Sequence, residues 1–224
     1  MSFADLRLQR HYNSDEDDVL DSFYRPVLST AQRYDRAVGY FSSSAFKACA
    51  TELATFVGKA GSIRLVVGCL VSPADIEALQ GKGIEPSDAE RQLLRLELRR
   101  QLLSLAEADV DAATLLARLV VSGVAQLKFA IRTEGIYHEK FGVFEDELGL
   151  KIAFIGSANE TEAALSFGAN HESFSVYQSL ETAIYAAYGT DLEVRFERLW
   201  QGKTRKTRIC DLDAESLALM QALG

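Results

Sequence analysis

Residues 137–174 read YHEKFGVFEDELGLKIAFIGSANETEAALSFGANHESF, and this stretch decides the predicted fold. It opens on an H-x-K motif formed by His138 and Lys140. Side chains two positions apart on a β-strand point to the same face of the sheet. The motif therefore predicts a strand that carries an imidazole and an ammonium group side by side.

A second strand is predicted at residues 151–155, a largely apolar run that ends at Gly156. If the loop EDELG joins the two strands, Ser157 and Asn159 follow at the end of the second one, close to the H-x-K motif. An imidazole, an ammonium, a hydroxyl and an amide would then share one small space. This set suits a phosphodiester, because it offers a nucleophile or acid, a cation, and neutral donors for the non-bridging oxygens.

These motifs resemble the signature of the phospholipase D superfamily, H-x-K-x4-D-x6-G-S-x-N. More narrowly, four segments look like the phospholipase D-like nuclease domains found beside helicase and restriction modules in prokaryotes: YDRAVGYFSSSAF at residues 34–46, HEKFGVFEDELG, GSANET and NHESF. The resemblance covers most of the chain from about residue 23 to residue 200. It implies an α/β fold, with a phospholipase D-like mixed β-sheet flanked by helices in an α-β-α sandwich.

The sequence departs from this signature at its acidic position. Glu145 stands where the signature has Asp, Asp146 comes one residue later, and ten residues instead of six separate Glu145 from Gly156. The longer gap fits an extended hairpin loop at residues 146–149. Because this acid is mainly structural in the superfamily, the change leaves the predicted site intact.

The resemblance also implies a mechanism that needs two copies of the chain. Superfamily members use two H-x-K motifs and this sequence has one, so a homodimer with a shared cleft is expected. One His138 imidazole would attack phosphorus and form a phosphohistidine, while the other protonates the departing oxygen. Water activated by the second imidazole would then release the phosphoryl group.

The other site residues have expected roles around this reaction. Lys140 would offset charge on the non-bridging oxygens, and Asn159 would donate a hydrogen bond to them, with Ser157 a weaker candidate for the same role. Glu172, from the NHESF segment, would accept a hydrogen bond from the second nitrogen of His138. Because lysine and imidazolium supply the positive charge, neither a metal nor another cofactor is expected.

Two alternatives at these residues stay open. Ser157 is explained nearly as well by a Gly-Ser turn with a capping role. A metal site made of His138, Glu139 and His171 is conceivable, but a lysine where a third ligand would stand argues against it.

Composition narrows the class of protein. The chain has 224 residues, of which 48% are hydrophobic and 25% charged, typical of one large soluble domain. No apolar run reaches the length of about 18 residues that a membrane span needs. Residues 1–18 lack the apolar core of a secretory signal, and three scattered cysteines suit a reducing compartment, so a cytoplasmic protein without membrane contact is expected.

The charge distribution bears on nucleic acid as a partner. A net charge of −8 argues mildly against it, because phosphate binding usually needs a basic surface. Basic residues nevertheless gather at residues 203–208, which read KTRKTR. A solvated surface segment is the competing explanation for that cluster.

The sequence predicts a polar N-terminal arm, residues 1–18, and a single phospholipase D-like nuclease domain, residues 19–224. Strands alternating with helices indicate a mixed sheet; further strands are predicted at residues 37–41, 63–67, 125–131 and 172–177. Residues 88–121 place leucines at helical spacing. That helix would either pack on its own sheet or contact a second subunit.

The favoured function is a metal-independent DNA endonuclease that acts as a homodimer in bacterial restriction or phage defence. The sequence contains no P-loop, so any ATP-driven motor would have to come from a helicase or ATPase partner. One alternative is a phospholipase D-type lipid phosphodiesterase, which uses the same chemistry on another head group. The other is a non-catalytic dimerising DNA-binding module that kept the fold.

Overall fold

The structure is a computed structural model that describes residues 1–68, 96–97, 99–100, 110–132, 135–159, 161, 164 and 170–223. Strands within these ranges form one eight-stranded sheet in the order β1-β7-β6-β5-β2-β3-β4-β8. Their bounds are His11–Asn13 (β1), Arg33–Val38 (β2), Ser62–Gly68 (β3), Ala125–Arg132 (β4), Phe141–Glu145 (β5), Lys151–Gly156 (β6), Ser173–Gln178 (β7) and Thr207–Asp211 (β8).

Helices connect the strands and cover the sheet. Their bounds are Arg25–Thr30 (α1), Ser44–Ala48 (α2), Ala50–Gly58 (α3), Val110–Val121 (α4), Thr182–Ile184 (α5), Thr190–Trp200 (α6) and Ala214–Leu223 (α7). A 3-10 turn at Phe3–Asp5 and π-helical turns at Leu20–Tyr24 and Tyr185–Gly189 complete the described elements. Pro26 lies in the first turn of α1, where its missing N–H breaks no helical hydrogen bond.

The sheet is mixed, and each face carries its own hydrophobic core. β2, β3 and β4 run parallel to one another, whereas the other neighbours pair antiparallel. One core contains an aromatic cluster that includes Phe23, Phe144, Phe154 and Phe174. The second core lies between the sheet and α6 and includes Phe196. A mixed sheet covered on both faces confirms the predicted α/β class.

Residues 1–18, predicted as a polar arm, pack against this domain in the structure. β1 pairs with β7 at one edge of the sheet, and Phe3 and Tyr12 are each 1% exposed. Ser14 is also buried. The burial of Phe3 and Tyr12 is enough to fix this mostly polar segment to the sheet. The polar composition of residues 1–18 did not indicate this packing.

Other predicted elements shift by a few residues. β3 and β4 contain the strands predicted at residues 63–67 and 125–131, and β7 begins one residue after the predicted start at Glu172. β2 ends at Val38, short of the predicted end at Phe41. Part of the basic cluster at residues 203–208 belongs to β8, which the sequence did not predict.

The predicted long helix at residues 88–121 falls largely outside the described residues. Its last part is α4, where Leu116 and Leu119 are buried in the core. This part therefore packs on its own sheet, as one of the two alternatives held. No helix within the ranges described here combines the length and apolar character needed to cross a membrane.

Candidate active site

The predicted site residues gather where several neighbouring strands of the sheet begin or end. β2 and β6 end there, whereas β5 and β7 begin there, as their antiparallel pairing requires. The H-x-K segment precedes β5, Ser157 and Asn159 follow β6, and Glu172 precedes β7. The chain therefore brings residues separated by up to 34 positions to one place, as the hairpin prediction required.

Glycines let the H-x-K segment approach the sheet closely. A Cβ atom on Gly68 would lie 2.8 Å from the Tyr137 carbonyl oxygen and 2.7 Å from that of Gly39. A Cβ on Gly39 would lie 3.1 Å from the Cα of His138. Side chains at these positions would push the histidine away from the ends of β2 and β3.

His138 and Lys140 do not lie on a strand, contrary to the prediction. β5 begins at Phe141, and the H-x-K residues form an extended segment just before it. His138 is exposed, whereas Lys140 is 6% exposed. The Lys140 ammonium donates a 2.8 Å hydrogen bond to the carbonyl oxygen of His138, so the two residues remain close although their environments differ.

Lys140 has a perturbed ionisation equilibrium. Burial lowers its pKa from the ordinary value of 10.5, and the nearby charge of Arg36 lowers it further. The carboxylate of Glu172 acts in the opposite direction, but the net shift is downward. An ammonium held in a partly dehydrated site interacts strongly with an anion that enters it.

Ser157 and Glu172 are hydrogen-bonded to each other. The Ser157 hydroxyl donates to Glu172 Oε2, and Ser157 Oγ accepts from the Ser173 backbone N–H at 3.0 Å. Glu172 is 8% exposed. The Glu172 carboxylate therefore accepts a hydrogen bond from Ser157. The predicted hydrogen bond between Glu172 and His138 stays a prediction.

Gly156 is required by this packing. A Cβ atom there would lie 2.1 Å from the Ser173 carbonyl oxygen, closer than any real contact. The same carbonyl accepts a 2.9 Å hydrogen bond from the Ser157 backbone N–H. The first residue of the G-S-x-N motif is therefore glycine because β6 and β7 pack closely at their ends.

Asn159 has a defined orientation. Its Oδ1 accepts a 3.0 Å hydrogen bond from the backbone N–H of Tyr40 in the loop after β2. The amide oxygen is occupied in this way, so the NH₂ group is the end that can donate to a bound oxygen. This is the chemistry that the sequence assigned to Asn159.

Sequence reasoning missed Arg36. Its side chain is 1% exposed, its Nη2 donates a 2.6 Å hydrogen bond to the Ala158 carbonyl oxygen, and its guanidinium lies 4.8 Å from the centre of the Phe154 ring. The contact with Ala158 holds the backbone between Ser157 and Asn159. Alternation along β2 could have revealed it, because Arg36 shares a face with Tyr34 and Val38, both buried in the core.

The N-terminal segment holds Glu172 in position. The Ser14 hydroxyl accepts a 2.8 Å hydrogen bond from the Glu172 backbone N–H, and the Ser14 N–H donates to the Glu172 carbonyl oxygen at 2.9 Å. Nothing in the sequence marks Ser14, since the contact joins residues 158 positions apart.

The structure also separates the two acids after the H-x-K motif. Glu145 forms an ion pair with Arg33, at 2.5 Å. Asp146 is 3% exposed, and its carboxylate accepts four hydrogen bonds: 2.8 Å from Phe3 N, 2.9 Å from Ser2 Oγ, and 2.9 Å each from Leu148 N and Leu150 N. Although burial acts to raise the Asp146 pKa, these hydrogen bonds lower it overall. The structural acid is Asp146.

Comparison with solved structures finds similar chains at low sequence identity. NucT from Helicobacter pylori matches with 14% identity and a TM-score of 0.41, over 81% of this chain and 95% of that one. Nuc from Salmonella typhimurium, described as a phospholipase D family member, matches with 12% identity and a TM-score of 0.46, over 90% and 97%. Phosphatidylserine synthase from Haemophilus influenzae matches with 13% identity and a TM-score of 0.47, over 95% and 44%. No protein-family model and no curated protein matches the chain.

The donor groups near His138 do not form a metal site in the described part of the chain. Within the described ranges, no three His, Cys, Asp or Glu side chains lie close enough together to hold a metal ion. His171, considered above as a ligand with His138, instead lies 3.4 Å from Asp15.

Proposed function

We propose that this protein is a metal-independent phosphodiesterase, a DNA endonuclease that works as a homodimer through a phosphohistidine formed on His138. The observation that carries the proposal is that the H-x-K segment, the G-S-x-N loop and Glu172 meet at the ends of neighbouring strands, around a buried lysine. Nucleophile, cation and neutral donors then surround one tetrahedral phosphate.

The reaction takes place in two displacements. In the first, an imidazole nitrogen of His138 bonds to phosphorus, the P–O bond to the leaving group breaks, and His138 of the partner subunit gives its proton to the departing oxygen. In the second, that neutral imidazole takes a proton from water, whose oxygen displaces the histidine nitrogen from phosphorus. Each step conserves charge within the site, and neither changes an oxidation state.

The cations and the amide stabilise the transition states. Lys140 places positive charge beside the non-bridging oxygens, and Arg36 adds to the positive potential from the face of β2. The Asn159 NH₂ is directed away from Tyr40 and donates to one of those oxygens. Removing one such donor typically costs about 3 kcal/mol, or a hundredfold or more in rate.

DNA is proposed as the substrate because the segments around the site resemble nuclease domains that occur beside helicase and restriction modules. A role in restriction or phage defence, with a helicase or ATPase partner, belongs to the same proposal. The lipid phosphodiesterase remains the alternative that the assay must distinguish, since its chemistry at phosphorus is the same.

The test is cleavage in the presence of EDTA. Purified protein is incubated with plasmid DNA, single-stranded DNA and phosphatidylcholine vesicles, and His138→Asn serves as the inactive variant. DNA cleavage that survives EDTA and is lost in His138→Asn is the expected result. Choline release without DNA cleavage would assign the lipid reaction, and strong DNA binding without any turnover would assign a non-catalytic module.

Two further measurements test the mechanism. Sedimentation equilibrium should give a dimer for both the wild type and His138→Asn, and a monomer at active concentrations would exclude a shared site. Quenching the reaction early should trap a phosphoryl group on the protein that is stable in alkali and labile in acid, as a phosphoramidate bond is. A fully active His138→Asn variant would remove His138 as the nucleophile.

A further inference from the structure

A cavity of about 620 Å³ opens beside His138 on the α6 side of the sheet. The residues that line it come from the end of β4, the H-x-K segment, α6, and the loop that leads to β8. His138 is itself part of the wall, so the cavity adjoins the proposed reaction centre. This volume lies in the range of about 300–1,000 Å³ that small-ligand sites occupy.

The charge of the wall is strongly positive. Among the lining residues are four arginines, Arg132, Arg195, Arg198 and Arg205, against one carboxylate, Glu139. The chain as a whole carries a net charge of −8, so this concentration of arginine runs against its overall charge. Field lines from several cations converge in a concave site and attract anions to it.

These arginines differ in how they are engaged. Arg195 forms ion pairs with Glu139 and Asp191 and lies 5.3 Å from the centre of the Phe141 ring, so it holds α6 against the H-x-K segment. Arg198 and Arg205 are exposed, and neither guanidinium pairs with a carboxylate in the part of the chain described here. Their charge is available to a ligand.

We propose that this cavity binds the nucleotide next to the scissile phosphodiester, with Arg198 and Arg205 on its backbone phosphate. The inference rests on the proposed function, because it takes the reacting phosphate to lie at His138. A guanidinium presents paired N–H donors that match two phosphate oxygens. Since His138 lines the same cavity, a strand attacked there places its neighbouring phosphate among these arginines.

The remaining wall suits the rest of a nucleotide. Tyr137 and Leu199 are buried and Ile136 is 56% exposed, and all three line the cavity. An apolar surface of this kind packs against a sugar and the face of a base, whereas a site for a bare phosphate ion needs no such surface. The cavity therefore favours a nucleotide unit over an isolated anion.

The first experiment measures binding without turnover. In a His138→Asn background, Arg198→Gln and Arg205→Gln are each compared with Arg7→Gln, an exposed arginine near the opposite edge of the sheet. The probe is a fluorescein-labelled single-stranded oligonucleotide without terminal phosphates, followed by anisotropy from low to high salt. Each cavity variant should weaken binding about tenfold and reduce the slope of log K against log salt by about 0.7. Cavity variants that bind as Arg7→Gln does would overturn the assignment.

A second arm separates internal from terminal phosphates. The same variants are titrated with the oligonucleotide carrying a 5′-phosphate. An equal loss of affinity with both oligonucleotides supports a backbone phosphate. A loss seen only with the 5′-phosphate would assign the cavity to strand ends and overturn the proposal as stated.

Turnover distinguishes failure of this inference from failure of the proposed function. With the reactive His138, Arg198→Gln should lower kcat/KM for DNA about tenfold while hydrolysing bis(p-nitrophenyl) phosphate, which has no neighbouring phosphate, at the wild-type rate. Equal losses on both substrates would show that Arg198 acts at the reacting phosphate and overturn the inference while the enzyme stands. If the wild type cleaves neither substrate, the proposed function fails. The anisotropy experiment then still shows whether the cavity binds the nucleic acid backbone.

Discussion

Two charged clusters lie on opposite faces of β2, and they differ in the groups that bind Arg64 on one face and Lys140 on the other. Asp35 points to the α6 face, where both of its oxygens accept hydrogen bonds of 2.7 Å from Arg64. Arg64 also lies 3.0 Å from Glu197, and Arg33 lies 3.3 Å from Asp35. Arg33 also pairs with Glu145, so both arginines of this cluster have carboxylate partners at contact distance.

Arg36, the next residue, points to the opposite face and belongs to the candidate site. There Arg36 donates a hydrogen bond to the Ala158 carbonyl oxygen, and Lys140 donates one to the His138 carbonyl oxygen. Glu172 is the carboxylate that acts on Lys140, and it accepts its own hydrogen bond from Ser157. The Lys140 ammonium thus bonds to a backbone carbonyl oxygen in a buried position, and burial lowers its pKa.

The difference indicates which cluster stabilises the fold and which one serves a ligand. The two hydrogen bonds between Arg64 and Asp35 offset the cost of removing both charges from water, so this cluster needs no ligand to be stable. A buried lysine bonded to a carbonyl has a lowered pKa and gains most when an anion enters. Substitutions should therefore affect stability on one face of β2 and turnover on the other.

The largest effect on stability is expected from Asp35→Asn. The change leaves Arg64 partly buried without its bidentate partner, which should lower the free energy of unfolding by about 3 kcal/mol. Urea denaturation measures it, and Asp21→Asn, which removes an exposed pair with Arg25, should change stability by less than about 0.5 kcal/mol. DNA cleavage at 25 °C should be retained, and an inactive but stable Asp35→Asn protein would reverse the assignment of the two clusters.

Lys140→Met should have the opposite profile. Loss of the ammonium should reduce kcat at least about a hundredfold, because charge on the non-bridging oxygens is no longer offset. Stability should hold or rise, since the lowered pKa of Lys140 shows that the fold disfavours its charged form. Lys47→Met on the exposed side of α2 is the control. A Lys140→Met protein that unfolds easily would make Lys140 a structural residue.

Much of the site could be predicted because its residues are close in sequence or belong to a motif. The H-x-K segment precedes β5 and the G-S-x-N loop follows β6, and one hairpin joins these two strands, so the local pattern places both segments together. The boundary of β5 was wrong because the H-x-K segment is extended without being a regular strand; Lys140 still accepts a hydrogen bond from Gly156 N at 3.2 Å. Extended backbone and paired strand share the same sequence pattern.

What sequence could not predict depends on contacts between distant residues. Arg36 reaches Ala158 across 122 positions, and Asp146 accepts from Phe3 across 143. Periodicity indicates which face a side chain takes but not which backbone atom it meets. The strand β1 was missed for the same reason, since three residues pair with β7 only after the whole sheet has formed.

Asp146→Asn tests one of these distant contacts. An amide offers one acceptor oxygen where the carboxylate accepts from four donors, so the free energy of unfolding should fall by about 2 kcal/mol at neutral pH. The folded-state pKa lies below the ordinary 3.8, so the carboxylate stabilises above that pH and loses its contribution as pH falls further. Urea denaturation should show a smaller difference in the free energy of unfolding between Asp146→Asn and wild type below pH 3.8 than at pH 7. The exposed Glu147→Gln should match wild type at both pH values.

Arg36→Lys should weaken turnover by about tenfold without removing a charge from the site. A lysine keeps the positive potential beside Lys140 but lacks the planar group that binds the Ala158 carbonyl, so the loop with Asn159 is held less firmly. The loss should appear in kcat at saturating DNA, with dimerisation unchanged. An unaltered kcat would limit Arg36 to packing against Phe154.

The smallest expected effect is a shift in the alkaline limb of the pH–rate profile. Burial lowers the pKa of Lys140, so its positive charge should be lost, and activity with it, below the ordinary value of 10.5. Lys140→Arg keeps a charge that does not titrate in this range and should move the limb to higher pH, whereas Lys47→Arg should leave it in place. Arg36→Met should also move the limb upward, because the charge of Arg36 is one cause of the lowered pKa. If no variant at either position moves the limb, Lys140 and Arg36 do not set the pH dependence, and the contrast with the Asp35 face loses its functional meaning.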